Sequence, residues 1–380
     1  MHKSKKVFVA VLAFLGLVAA ACSSSSSGSG GGGNTVTIGV LTDLTGPAAS
    51  SAKTTPTGVK AGVLYAKDHG FTVKYIVRDS QTSPTAILAA AHELVQQDHV
   101  LAVLAVSSLT FLASSYLAQQ HVPVVGVAED GPEWVTTPTM FSAYGPVDAS
   151  KVATTGGEFF KMQGATKIGT LGYNISPQSA DSAEATAASA QYAGLQAPYV
   201  NASFQFGSTN VEPIALAMKA AGVDGMSASV DPNTGLLLVT ALRQVGADIK
   251  VALLPTGYGG DLEQAGPGAL ASAQNVYFIS TFQPVEMHTS ATQQFQKYLK
   301  DVGVDGDPTY AEYAGYTSIA LLVDGLQAAG SNPTQAKLVT ALSGIHNFDA
   351  AGLLGSHTID FADRTASPTG PGNCEYMTKL

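Results

Sequence analysis

The sequence predicts an α/β chain built as two α/β units in series. Three observations carry this. Strand-like and helix-like runs alternate from residue 36 onward, the pattern of a parallel sheet joined by crossover helices. Val100 to Val106 is continuously apolar, as expected of a strand covered on both faces. The alternation then restarts after Asp148.

Val36 to Leu41 reads as a mostly buried strand, Thr42 to Pro47 as a turn, and Pro56 to Asp68 as a helix stopped by Gly70. Phe71, Val73, Tyr75 and Val77 alternate with polar neighbours, which is strand period. Ser83-Pro84 supplies an N-cap and a first-turn proline for a helix whose apolar face is Ile87, Leu88, Ala91, Leu94 and Val95. A helix over about 108–120 and a strand over 122–127 complete the first unit. In the second, helices are expected over about 149–162, 180–192 and 235–245, and strands over 167–171, 225–230, 249–254 and 276–280. Late helices over 308–329 and 333–342 precede a short closing strand over 358–361.

The N-terminus reads differently. Lys3, Lys5 and Lys6 precede the uncharged apolar run Val7–Ala21, which falls short of the ~20 residues a bilayer span needs. A basic head, a short apolar core and Ala19-Ala20-Ala21 make a secretory signal over 1–21. "LVAAACSSSSSGSGGGG" resembles a bacterial lipoprotein signal, with Ala19 where the usual pattern has Leu or Val. That resemblance implies lipidation of Cys22, with 22–34 as a Ser/Gly tether. The alternative is an ordinary signal cut after Ala21 that leaves a free thiol. Gly28 to Gly33 matches G-x-G-x-x-G, but serines rather than a strand precede it, so it is no dinucleotide fingerprint.

The 380 residues carry a formal net charge of -9. The first 33 hold three lysines and no acid, so the remaining 347 have 16 basic and 28 acidic residues, a net of -12. With no basic patch, nucleic acid is excluded as a partner class. A 12% charged and 45% hydrophobic composition suits a compact globular body. Two cysteines, Cys22 and Cys374, rule out a cysteine-type zinc site, and with Cys22 lipidated Cys374 has no partner in the chain. His92-Glu93 does not make H-E-x-x-H, no G-x-S-x-G elbow occurs, and no metal or cofactor site is expected.

The segments also resemble a known family. "VTIGVLTDLTGPAAS" resembles the opening of leucine/isoleucine/valine-type solute-binding proteins, and "VKYIVRDSQTSPTAILAAAHELVQQDHVLAVL" their second strand, acidic turn, following helix and third strand. "HVPVVGVAED", "KIGTLGYN", "ALRQVGADIKVALLPTGYGG" and "YAEYAGYTSIALLVDGLQAAG" continue it over about residues 35–365. The resemblance implies a type I periplasmic binding protein fold: two Rossmann-like lobes with parallel sheets, joined by three crossovers, with ligand in the cleft. The first lobe would be 35–143 plus 281–352 and the second 144–280 plus 353–380. Family members often carry a further stretch at the C-terminus, which makes a shortened last strand an expectation.

Ligands in open parallel sheets sit beyond the carboxyl ends of the strands. That rule selects Ser107 and Ser108, at a helix N-terminus suited to an anion. The resemblance implies that Ser107 holds a ligand carboxylate; a plain N-cap serine is the other reading. Ala128, Glu129 and Asp130 follow the next strand, with Trp134 close behind. The family uses a backbone group at Ala128 and a hydroxyl at the position of Asp130. An aspartate there suits an ammonium or hydroxyl, or is a solvated acidic turn. Trp134 is either a cleft wall or core. The second lobe offers Tyr173, Asp231, Asn233, Thr256 and Tyr258. The family's tyrosine and ammonium-binding glutamate align near Ser176-Pro177 and Thr256-Gly257, so the glutamate is missing and Asp130 is its candidate substitute. Asp79 is expected either at the cleft mouth or capping a turn.

These features imply an extracytoplasmic, lipid-anchored, monomeric binder. It would capture a small polar solute, an amino acid or related compound, and deliver it by hinge closure to an ABC permease without catalysis. The other classes are a sensor using the same clamp and, further off, a cell-surface hydrolase.

Overall fold

The computed structural model describes residues 34–365 and 375–380. The expected signal, Cys22, the tether and Cys374 lie outside the described residues. In chain order the first sheet and its helices are β1 (Asn34–Thr42), α1 (Ala49–Ala52), α2 (Thr55–Asp68), β2 (Phe71–Asp79), α3 (Pro84–Gln96), β3 (Ala102–Val106), α4 (Thr110–Gln119), β4 (Val124–Gly126), α5 (Glu133–Thr136) and β5 (Met140–Ser142). The second group is α6 (Thr155–Met162), β6 (Lys167–Tyr173), α7 (Pro177–Tyr192), β7 (Gln196–Phe204), α8 (Glu212–Ala220), β8 (Gly225–Ser229), α9 (Pro232–Gln244), β9 (Val251–Leu254), α10 (Gly260–Gln264), α11 (Pro267–Ser272) and β10 (Val276–Ser280). The chain then returns to the first lobe with α12 (Ser290–Asp301), α13 (Tyr310–Ala329) and α14 (Gln335–Ser343), and ends in the second with β11 (Tyr376–Lys379).

Five parallel strands run in the order β2-β1-β3-β4-β5, and six in the order β11-β10-β9-β8-β6-β7. The second sheet repeats the first's winding, with β7-β6-β8 standing where β2-β1-β3 stand. Every residue of β3 is buried, because helices cover both faces of the first sheet. α13 carries apolar residues nearly all round and is buried along most of its length, as a helix enclosed by others must be. It crosses α2 at Gly58, Gly62 and Gly315. A Cβ on Gly315 would stand 2.7 Å from the Thr55 carbonyl oxygen, so the two backbones meet where only glycine fits.

Several expectations need correction. β7, α8 and α12 were not expected. β7 alternates exposed and half-buried residues without an apolar stripe, which hides its period in sequence. Residues 358–361 form no strand: a single bridge, Phe348 to Ile359, pairs that segment. The closing strand is β11, antiparallel to β10 in an otherwise parallel sheet. α6 starts at Thr155, since residues 149–154 form turns and bends before the helix.

Candidate functional site

In each sheet the winding reverses beside the strand entered first, which opens a crevice at the carboxyl ends of β1 and β3 and of β6 and β8. Asp43 follows β1 and is fully buried. Its Oδ1 accepts the Ser107 hydroxyl at 2.5 Å and the Ser80 hydroxyl, and its Oδ2 accepts the Ser108 amide at 2.9 Å. Burial pushes this carboxyl upward, and the hydroxyls of Ser107 and Ser80 and the Ser108 amide pull it back. Thus the seat expected for a ligand carboxylate is already filled by a side chain of the protein. Ser107 is wholly buried against Asp43, and its expected role on a ligand is corrected by that contact. Ser108 keeps a face on the cavity.

The second crevice is organised by Asp231, which follows β8. Its Oδ1 accepts the Thr234 amide at 3.2 Å, capping α9, and its Oδ2 accepts the Tyr173 hydroxyl. The same phenol reaches Thr234 Oγ1 at 3.0 Å. Burial and the Asp231 carboxylate hold the Tyr173 hydroxyl far above the usual phenol range, so it stays a donor. Thr256 Oγ1 donates to the Val230 carbonyl at 3.1 Å, and Tyr258 donates to Glu286.

Between the two crevices lies a cavity of about 1000 Å³, at the upper end of small-molecule sites. Ser108, Ala128, Tyr173, Asp231, Thr256 and Tyr258 line it. Its walls include two aromatic groups. Tyr144 sits 5.3 Å from Phe282 and 6.0 Å from Tyr310, centroid to centroid, and Tyr173 meets Phe206 edge-on at 4.9 Å.

Sequence reasoning passed over Glu129. It lines the cavity beside the Tyr310 and Tyr144 hydroxyls, and its Oε1 is shut off from solvent with no hydrogen-bond partner among the described residues. Burial, then the charges of Asp130 and Asp43, push its carboxyl well above the ordinary range. One signal was available: residues leaving a strand alternate sides, so if Asp130 turns inward, Glu129 points the other way.

Asp130 does turn inward. It is fully buried, accepting the Phe111 amide at 2.8 Å and the Trp134 indole N–H at 3.1 Å. It has no face on the cavity, so its expected place opposite a ligand ammonium is corrected. Trp134 packs in the core of the first lobe with Leu109 and Met140, not on a cleft wall. Asn233 is exposed on the first turn of α9, outside the cavity lining. Asp79 caps the turn after β1, accepting the Leu44 and Thr45 amides at 3.0 and 3.2 Å.

Hydrogen bonds cross the cavity rim. Ser176 Oγ and the Gln178 amide of the second lobe donate to the Asp130 carbonyl at 2.9 and 3.1 Å. Ser50 Oγ of the first lobe donates to Asp231 Oδ1 at 2.8 Å. Ile175 packs against the first lobe's core. On another side of the junction Asp261 Oδ2 accepts the Tyr310 amide at 3.0 Å. These contacts are buried or part-buried polar bonds at the junction. Removing two of them in Ser50→Ala/Ser176→Ala should widen the ligand-free particle in small-angle X-ray scattering. It should also weaken ligand binding by about 3- to 30-fold, the worth of one or two hydrogen bonds. An unchanged scattering profile and affinity would assign those bonds no part in closure.

Among the described residues no group of His, Cys, Asp and Glu is placed to hold a metal ion, and no helix is long and apolar enough to cross a membrane.

The family described as periplasmic binding protein matches residues 35–372. No curated protein matches the sequence. Solved structures do match in fold. A substrate-binding periplasmic protein from Ralstonia solanacearum has a TM-score of 0.76 at 18% identity, covering 90% of this chain and 96% of its own. A solute binding protein of an ABC transporter from R. palustris, in complex with 4-hydroxybenzoate, has a TM-score of 0.73 at 20% identity, covering 87% and 90%. A leucine binding protein from Thermotoga maritima has 0.68 at 17%, covering 84% and 90%.

Proposed function

The chain belongs to the periplasmic binding protein family, and from that premise we propose that it is the extracytoplasmic solute-binding component of an ABC importer. It is held at the membrane by a lipid on Cys22, takes a small organic solute between its lobes and hands it to a permease. The observation that carries this reading is the cavity of about 1000 Å³ at the carboxyl ends of two like-wound sheets, with hydrogen bonds from each lobe meeting across its rim. A ligand touching both lobes favours the closed arrangement by its extra affinity for that state, and a docking partner reads the closure. Binding without turnover is the proposed activity.

An amino acid held in the family's usual way fits this cavity poorly. Asp43 occupies the carboxylate seat, Asp130 is committed to Phe111 and Trp134, and the second-lobe loop at Thr256-Gly257 carries no glutamate. Like-folded proteins have been seen with 4-hydroxybenzoate and with benzoate, and the aromatic walls around Tyr144 and Tyr173 suit a solute with a flat or apolar body.

The direct test denatures the full chain, purified in detergent, and identifies released small molecules by mass spectrometry. Each is then added back in a thermal-shift assay. A true ligand at a hundredfold excess over its Kd should stabilise by about 2.7 kcal/mol. If nothing is released, and neither amines, acids nor neutral solutes shift the melting temperature, the solute-binding reading fails.

A further inference from the structure

We propose that Glu129 is the seat of a positively charged nitrogen, and that the solute of this cavity is an organic amine without a carboxylate. The inference rests on the solute-binding reading above and names the chemical class that the site selects.

Three independent observations converge. The first is the filled anion seat: Ser107 Oγ and the Ser108 amide at the carboxyl end of β3, and Ser80 Oγ just after β2, all donate to Asp43. A ligand carboxylate arriving there would meet a buried carboxyl instead of free donors. The second is the orphan acceptor. Glu129 Oε1 is cut off from solvent and has no hydrogen bond among the described residues, on a cavity-lining side chain whose carboxyl otherwise meets the Tyr310 hydroxyl. A buried acceptor without a partner costs stability, which a site tolerates when a ligand supplies the missing donor. The third is the charge of the wall. Glu129, Asp231, Asp360 and Glu375 line the cavity, against Lys151 as the one lysine or arginine among the described lining residues. Lys151 is exposed, whereas Glu129 faces inward.

Glu129 is faced by Asp43 and Asp130 of the first lobe and by the phenols of Tyr144 and Tyr310. Burial and the two aspartates raise its pKa and favour the protonated form, against the opposing Tyr310 hydrogen bond. An ammonium placed against it makes the charged form favourable, so Glu129 passes from carboxylic acid to carboxylate and one proton leaves to solvent. The Tyr310 hydroxyl hydrogen-bonds the Glu129 carboxyl, and the Tyr144 ring stands 6.0 Å from that of Tyr310, centroid to centroid, in the same wall. A carboxylate ligand would do the reverse, accepting the Glu129 proton in a hydrogen bond and raising its pKa further.

The test uses three probes that share one ring: 2-phenylethylamine, 3-phenylpropionate and phenylalanine. They are offered to the full chain in detergent by isothermal titration calorimetry, in buffers of different ionisation enthalpy. The expected result is binding of the amine with release of about one proton near neutral pH, and no binding of the acid or the zwitterion. Glu129→Gln, which keeps the size and neutrality of the protonated acid, should weaken amine binding roughly tenfold to a hundredfold and remove the proton release. Glu129→Ala, with folding checked by circular dichroism, should do the same. Binding of 3-phenylpropionate or phenylalanine in preference to the amine overturns the assignment and leaves the solute-binding reading standing. So does amine binding that is indifferent to Glu129, or no amine binding while a released neutral or acidic compound binds. Silence from every probe, with no compound released, removes both readings.

Discussion

The Asp43→Ala variant should melt well below the wild type, by roughly 6–15 °C, for a loss of about 3–5 kcal/mol. Asp43 is fully buried, and three donors converge on it: two hydroxyls and a backbone amide. Deleting the carboxyl leaves those donors facing a small void. Each unsatisfied buried donor costs about 1–3 kcal/mol, less where a hydroxyl can rotate to another acceptor. Asp43→Asn restores one acceptor but sets an N–H₂ against the remaining donors, so it should recover only part of the loss. A rescue experiment separates a packing defect from a vacated anion seat. Formate should raise the melting temperature of Asp43→Ala more than that of the wild type, because it can occupy the emptied position between Ser107 and the Ser108 amide. Equal shifts in both proteins would mean that the site collapses when Asp43 is removed. A melting temperature within a degree or two of wild type would contradict the carboxyl's structural role altogether.

Much of the scaffold was legible because parallel sheets covered on both faces leave continuous apolar runs. β3 is the clearest case, with Ala102 to Val106 wholly buried. Ser83-Pro84 marks the start of α3 because an extended residue before a first-turn proline needs no tertiary help, although the Ser83 side chain makes no cap hydrogen bond. The strand-end rule selects Tyr173 and Asp231, which meet through a hydrogen bond at the second crevice. Elements held by pairing rather than by an apolar stripe were missed. β7 shows no buried face of its own, and β11 gains its strand character only by lying antiparallel to β10.

The first lobe's site failed for a different physical reason. A resemblance can carry a position across but not the direction in which its side chain points. Asp130 occupies the aligned position, yet its two oxygens are consumed by Phe111 N–H and the Trp134 indole, a residue four places on. Ser107 occupies the aligned position too, yet Asp43, read in sequence as a turn residue, reaches its hydroxyl first. Both outcomes depend on which carboxyl is closest to a given donor, a quantity fixed by the packing of β1 against β3 and not by spacing within either. Glu129 was hidden by the same fact seen from the other side: with its neighbour turned into the core, it faces the cavity.

Acidification from pH 8 to pH 5 should stabilise this protein, and Asp261 is the residue through which the effect can be tested. Its carboxyl lies in the contact between α10 and the first turn of α13, accepting the Tyr310 amide. Burial raises it to about 7, against the opposing pull of the Tyr310 amide and with a further push from Glu312. In the unfolded chain it titrates near 4. Between those values the native state holds a proton that the unfolded state has lost. Stability must therefore fall as pH rises through this window and level off above it. Three pKa units correspond to about 4 kcal/mol, taken as an upper bound for this one group. Glu129 and Glu133 are also raised, chiefly by burial, and act in the same direction. Asp79 and Asp224 are lowered instead, by hydrogen bonds that outweigh their modest burial, and their contribution is lost only as pH falls through their own low values. The stability maximum should thus lie on the acid side of neutrality, near pH 5. Asp261→Asn keeps an acceptor for the Tyr310 amide without the charge. In urea titrations it should differ from the wild type less at pH 5 than at pH 8, where it should exceed it by about 1–4 kcal/mol, and show a flatter profile between. Wild-type stability that rises from pH 5 to pH 8, or an Asp261→Asn variant weaker at pH 8, would place the ionised form of Asp261 in the native junction. The contact between α10 and α13 would then be an ion–dipole lock at the N-terminus of α13 and not a neutral hydrogen bond.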